Sequence, residues 1–108
     1  MKSLSSTEEF DKVVEQTSPS IVLKYGATCP ISARARDEIA AFEERHPDLP
    51  VYGLDVTAHN RLSAHAADRL GVEHASPQVF VLRDGRPVWH AEHYDITEKS
   101  VSAHTSAE

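Results

Sequence analysis

The sequence predicts a single α/β domain, a mixed four-stranded sheet with helices on both faces. Three observations predict it. Short apolar runs alternate with segments of helical period, in the order α-β-α-β-α-β-β-α. The run from Ile21 to Tyr25 is apolar on both faces, as a central strand covered by helices on each side is. Asp84-Gly85 is a hairpin signal, so the last two strands are antiparallel, whereas the earlier strand-helix-strand units require parallel pairs with right-handed crossovers.

Each element has a local reason. Ser6 followed by Glu9 forms a capping box that opens a first helix carrying Phe10, Val13 and Val14 on one face and ending near Thr17. Gly26-Ala27-Thr28 turns the chain from the first strand into a second helix, Pro30 to about Arg45. Proline suits the first helical position because the N–H it lacks would be unpaired there. Ile31, Ala35, Ile39 and Phe42 give that helix its buried face. Val51 to Val56 is a second strand. A third helix from about Asn60 buries Leu62, Ala66 and Leu70, and Gly71 caps its end. The strands Val79–Leu82 and Pro87–Ala91 flank the hairpin turn, and a short last helix follows Thr97. From about Ser102 the tail is small and polar and is expected to fray.

Composition excludes several classes. A chain of 108 residues has room for one core only. The net charge is −6 with no Lys/Arg cluster, which argues against nucleic acid or anionic membrane as partners. The longest apolar runs are far shorter than a membrane span, and Met1 to Ser6 lacks the apolar stretch of a signal peptide. One cysteine cannot form an internal disulfide, so the chain is expected to be cytoplasmic.

That cysteine, Cys29, closes the first strand and sits at the cap of the second helix, beside Pro30. The amides of Ile31 and Ser32 and the positive end of the helix dipole favour a thiolate there. Lowering a thiol pKa by roughly two units represents about 2.7 kcal/mol of preference for the anion. The dipole supplies about 0.3–1 kcal/mol, so hydrogen bonds from the Ile31 and Ser32 amides and the Ser32 hydroxyl must add the rest. Thr28 and Pro30 shape the same turn. Ser32 lies three residues on, one helical turn along the same face. A hydroxyl there can donate to a thiolate but cannot close a disulfide, so a mixed disulfide on Cys29 must wait for an outside thiol.

The element order, the cysteine at the first strand-to-helix junction and the proline before the third strand are similar to the thioredoxin fold. On that likeness Ser76-Pro77 is the cis-proline element facing the cysteine, with the backbone of Ser76 offered to a substrate strand. More narrowly, Thr28-Cys29-Pro30-Ile31-Ser32-Ala33, the block from Ser76-Pro77-Gln78 through Asp84-Gly85 to Val88-Trp89-His90, and His93 with Ile96-Thr97 resemble the monothiol bacilliredoxins of the YtxJ type. Tyr94 departs from that pattern, which has tryptophan there. The resemblance implies removal of bacillithiol from protein mixed disulfides through Cys29, with Ser76 and Pro77 binding substrate. It implies bacillithiol as co-substrate, no bound cofactor, S-bacillithiolated proteins as partners, and a monomer. Bacillithiol carries malate carboxylates, and the nearest basic residues in sequence are Lys24, Arg34 and Arg36.

Other chemistries fit less well. A Cys-x5-Arg oxyanion loop fails because Ala35 holds the arginine position, and a peroxiredoxin fails because Gly26 stands three before the cysteine. The seven histidines lack metal-ligand spacing and read as solvated surface side chains. The remaining alternatives are a monothiol iron–sulfur cluster carrier and a non-catalytic adapter of the same fold.

Overall fold

The computed structural model describes residues 1–105 of the chain. Its elements run β1 (Lys2–Ser3), α1 (Thr7–Glu15), β2 (Ser20–Tyr25), α2 (Pro30–Arg45), β3 (Val51–Asp55), α3 (Asn60–Leu70), β4 (Gln78–Arg83), β5 (Arg86–Glu92) and α4 (Glu98–Ala103). A single 3₁₀ turn, His93–Asp95, joins β5 to α4.

The sheet has the order β1-β3-β2-β4-β5, five strands where the sequence pattern gave four. The extra strand is Lys2–Ser3, exposed on both sides and too short for any alternation to show. It forms because Leu4 is buried and its N–H donates to the Gly53 carbonyl at 2.8 Å. β1 and β2 run parallel to β3, and β4 runs antiparallel to both β2 and β5. β2 is the central strand, as its two-faced apolar run requires.

Period-2 alternation in β2 sorts the core into two layers. Val22, with Leu54, Phe80 and Leu82, packs under Phe10, Val13 and Val14 of α1 and Leu62, Ala66 and Leu70 of α3. Ile21 and Leu23, with Val51, Val79 and Val81, pack under Ala35, Ile39 and Phe42 of α2 and Val101 of α4. Gly71 ends α3 in the left-handed region at φ 68°, and Asp84 and Gly85 both take positive φ in the hairpin turn, as a two-residue primed turn demands. The first cap differs in detail from a capping box. Ser6 accepts from the Glu9 N–H, but the Glu9 carboxylate reaches past Ser6 to the Ser5 N–H at 2.8 Å.

The segment after Ser102 is docked, not frayed, as far as residue 105. His104 stacks on Trp89 with ring centroids 4.3 Å apart and planes 6° apart, and Thr105 is buried. Small polar residues gave no sign of this, because the contact is made by an imidazole face and a hydroxyl. The expected fraying of residues 106–108 lies outside the described residues. No histidine is buried, as expected of surface side chains, but several have side-chain partners. His46 bonds Ser102, His65 bonds Asp11, His74 bonds Ser63 and His90 bonds Glu92. Replacing His104 with alanine is expected to cost about 0.5–1 kcal/mol of stability, an aromatic pair's worth. A fall in thermal midpoint with Trp89 emission as probe checks this; an unchanged midpoint would show that the stack contributes nothing.

Candidate functional site

Cys29 is the N-cap of α2, in extended backbone, and no side chain caps the helix. Its carbonyl accepts the Ala33 N–H at 3.0 Å, which starts the helical ladder. Pro30 occupies the first helical position and removes one amide, so the N–H groups of Ile31 and Ser32 are the first available. Both act on the half-buried sulfur. The Cys29 thiol is held below its usual pKa, first by the Ser32 amide, then by the Ile31 amide, with a smaller contribution from the Ser32 hydroxyl; desolvation opposes them.

Ser32 itself is fully buried, and its Oγ accepts the Gly26 N–H at 2.9 Å. The hydroxyl therefore ties the turn before the cysteine to the helix after it, while its own proton remains for the sulfur. Thr28 and Pro30 stand exposed on either side of Cys29. One residue escaped the sequence reading, and a second was marked by the family resemblance but not by its contact. Thr57, in the loop after β3, accepts from the Ala27 N–H at 3.4 Å, and its own N–H is held by Asp55 Oδ1 at 2.9 Å. An aspartate two residues ahead of a loop threonine is an Asx-turn signal and could have flagged it. His93 takes φ 53° and donates its N–H to the Pro77 carbonyl at 3.1 Å; no local sequence signal marks it.

The Ser76-Pro77 peptide bond is cis. β2 and β4 pair with Lys24 opposite Gln78, so the chain leaving β2 toward Cys29 and the chain entering β4 from Pro77 meet at one end of the sheet. Pro77 is buried and Ser76 half-buried.

The three basic residues separate. Lys24 has no access to a ligand at the surface. It is fully buried on the α3 side of β2, with Nζ 3.5 Å from the Ser63 carbonyl, and burial lowers its pKa from 10.5 to about 8. The alternation of β2 sends it to the face opposite Leu23, which sequence proximity to Cys29 did not register. Arg34 and Arg36 are exposed on α2. The Arg34 guanidinium lies 5.6 Å from the centroid of the Tyr94 ring, and that of Arg36 lies 4.9 Å from the centroid of Tyr25. Among the described residues no group of three His, Cys, Asp or Glu side chains is placed to hold a metal ion, and no helix is long and apolar enough to cross a membrane.

A cysteine capping a helix beside a cis-proline loop, on a mixed sheet of this order, defines a thioredoxin-like oxidoreductase. The chain belongs to the monothiol bacilliredoxin family, whose model (Monothiol bacilliredoxin BrxC) matches residues 2–101. It is similar to a solved thioredoxin-fold protein proposed to be an oxidoreductase, at 37% identity over 94% of this chain and 90% of that one, with a TM-score of 0.88. Thioredoxin of Fasciola hepatica shares the fold at 16% identity and TM-score 0.78, over 97% of this chain and 96% of that one. Thioredoxin O2 of Arabidopsis thaliana does so at 22% and 0.76, over 94% and 90%.

Two outcomes follow from this geometry. Ser32→Ala removes a donor to the sulfur and leaves the Gly26 N–H without its partner. The midpoint of Cys29 alkylation against pH is expected to move upward, and an unmoved midpoint would remove Ser32 from the site. For Lys24, the folded state disfavours the proton that the unfolded state keeps up to 10.5, so the cost is full below about pH 8. Between those values the unfolded chain binds more protons, and stability rises with pH, by up to roughly 3 kcal/mol. Denaturant unfolding between pH 7 and 10 should show that rise in the native chain and lose it in Lys24→Met; parallel curves would contradict it.

Proposed function

We propose that this protein removes bacillithiol from protein mixed disulfides by a monothiol mechanism through Cys29. The observation that carries the reading is a single half-buried sulfur, stabilised as thiolate by the Ser32 and Ile31 amides, with a buried serine at the position one turn along. Membership of the bacilliredoxin family supports the choice of thiol.

The Cys29 thiolate attacks the bacillithiol-side sulfur of the client disulfide. One S–S bond forms as another breaks, and the client leaves as a thiolate that takes its proton from water. There is no net redox change in this step. The thiolate of a second bacillithiol then attacks the mixed disulfide on Cys29, releasing bacillithiol disulfide and regenerating the Cys29 thiolate. Overall, one client mixed disulfide and one bacillithiol thiol become one client thiol and one bacillithiol disulfide, so the disulfide bond is moved and no outside oxidant or reductant is needed. Ser76 and Pro77 hold the client by its backbone, Thr28 and Pro30 border the sulfur, and no bound cofactor takes part. The partners are S-bacillithiolated proteins and bacillithiol itself, and the protein acts as a monomer.

Incubating the reduced protein with a bacillithiolated client should transfer one bacillithiol mass to Cys29, seen by intact mass spectrometry. Cys29→Ser should abolish it. Inert behaviour here, with efficient processing of glutathione mixed disulfides, would instead indicate a glutaredoxin-like role.

A further inference from the structure

We infer that Arg34, held against Tyr94, binds the malate carboxylates of the bacillithiol joined to Cys29, an inference that rests on the bacillithiol reading above. Arg34 lies five residues beyond Cys29, about 7.5 Å along the axis of α2 and roughly 140° around it, on the side where Tyr94 stands. Its guanidinium carbon lies over the Tyr94 ring, 5.6 Å from the centroid. A cation–ring contact uses none of the guanidinium N–H groups as hydrogen-bond donors, so they remain for a carboxylate.

Those donors are unclaimed. Among the described residues Arg34 makes no ion pair, whereas Arg45 and Arg69 do. The carboxylate one helical turn on, Glu38, already accepts the Glu98 N–H at 2.7 Å. Asp37, three residues on along α2, and Asp95, beside Tyr94 in sequence, also form no ion pair with Arg34 among the described residues.

The aromatic half of the arrangement is tied to the site by backbone. His93 turns the chain through φ 53° and donates its N–H to the carbonyl of Pro77, and Tyr94 follows directly. The ring is 63% exposed, so a large apolar surface stands in solvent next to the substrate-binding proline, with one cation resting on it. The left-handed turn at His93 leads into Tyr94, whose ring centroid lies 5.6 Å from the Arg34 guanidinium carbon on α2.

The other two cations are unsuited. Lys24 is buried on the opposite face of β2. Arg36 lies over Tyr25, 4.9 Å from its centroid, and lines a cavity of about 440 Å³ with Met1, Asp37 and Glu43, a lining that does not include Tyr94.

The test compares two peptide mixed disulfides, one carrying bacillithiol and one carrying cysteinyl-glucosamine, which lacks the malate. The native protein should process the first about tenfold more efficiently, the value of one charge-assisted contact. Arg34→Ala should remove that advantage through KM and leave the malate-free substrate unchanged, with an unchanged thermal midpoint. Arg34→Lys should recover part of it, and Tyr94→Ala should lose roughly threefold on bacillithiol alone. Equal processing of both substrates by the native protein, or an Arg34→Ala effect on both or neither, overturns this inference while the bacilliredoxin activity stands. Transfer from neither substrate overturns both.

Discussion

The chemistry at Cys29 depends on two amides, those of Ser32 and Ile31, which reach the sulfur because nothing else occupies them. In many helices a Ser, Thr or Asp side chain at the cap would take the first N–H groups. Here the cap residue is the cysteine itself, and Pro30 removes the amide that would point away. The remaining requirement is that the turn before the helix stay closed. Ser32 meets it by accepting the Gly26 N–H from inside the core, so one buried hydroxyl fixes the loop and serves the sulfur together. Thr57, itself fixed by Asp55, holds the same loop from the β3 side through Ala27.

Opposite this stands a polar cluster that stabilises little. Lys24 is buried with one long contact to the Ser63 carbonyl, and its cross-strand partner Gln78 has a buried Oε1 without a hydrogen-bond partner among the described residues. Gln78 Nε2 meanwhile donates to the Glu73 carbonyl and to Glu92, which also bonds His90. Buried charge without a counter-ion is costly, so these groups do not account for stability. What they do is fix relations. The cluster joins β2, β4, β5, α3 and the loop before Ser76-Pro77, the loop assigned to the client under the proposed function.

Local chemistry made much of this readable in advance. The bounds of α2 follow from Pro30 and its 3-4 periodicity, the end of α3 from Gly71, and the last hairpin from Asp84-Gly85. Each signal lies within the element it specifies. The features that went unread depend on partners distant in sequence. Two exposed residues become β1 only because Gly53 offers a carbonyl, and the tail docks only because Trp89 presents a ring face. Lys24 was misplaced for a different reason. Proximity along the chain suggested that it served the sulfur, but alternation within β2 turns Lys24 under α3, whereas Cys29 caps α2 on the other layer. The site shows the same division, since Cys29 and Ser32 are one helical turn apart whereas Thr57 and His93 arrive from other strands.

A lone sulfur must also serve as its own leaving group. Under the proposed mechanism Cys29 attacks in the first exchange and is displaced in the second, and a resolving cysteine is not available to shorten either step. Lowering a thiol's pKa raises its thiolate fraction but weakens each thiolate as a nucleophile, with a Brønsted coefficient of about 0.4–0.5. The same lowering speeds departure when an outside thiol attacks the mixed disulfide. A dithiol enzyme can tolerate a poor leaving group, because its second sulfur is held at high effective concentration. This chain has serine in that position, and the two amides that make Cys29 ready to attack are also what make it ready to leave.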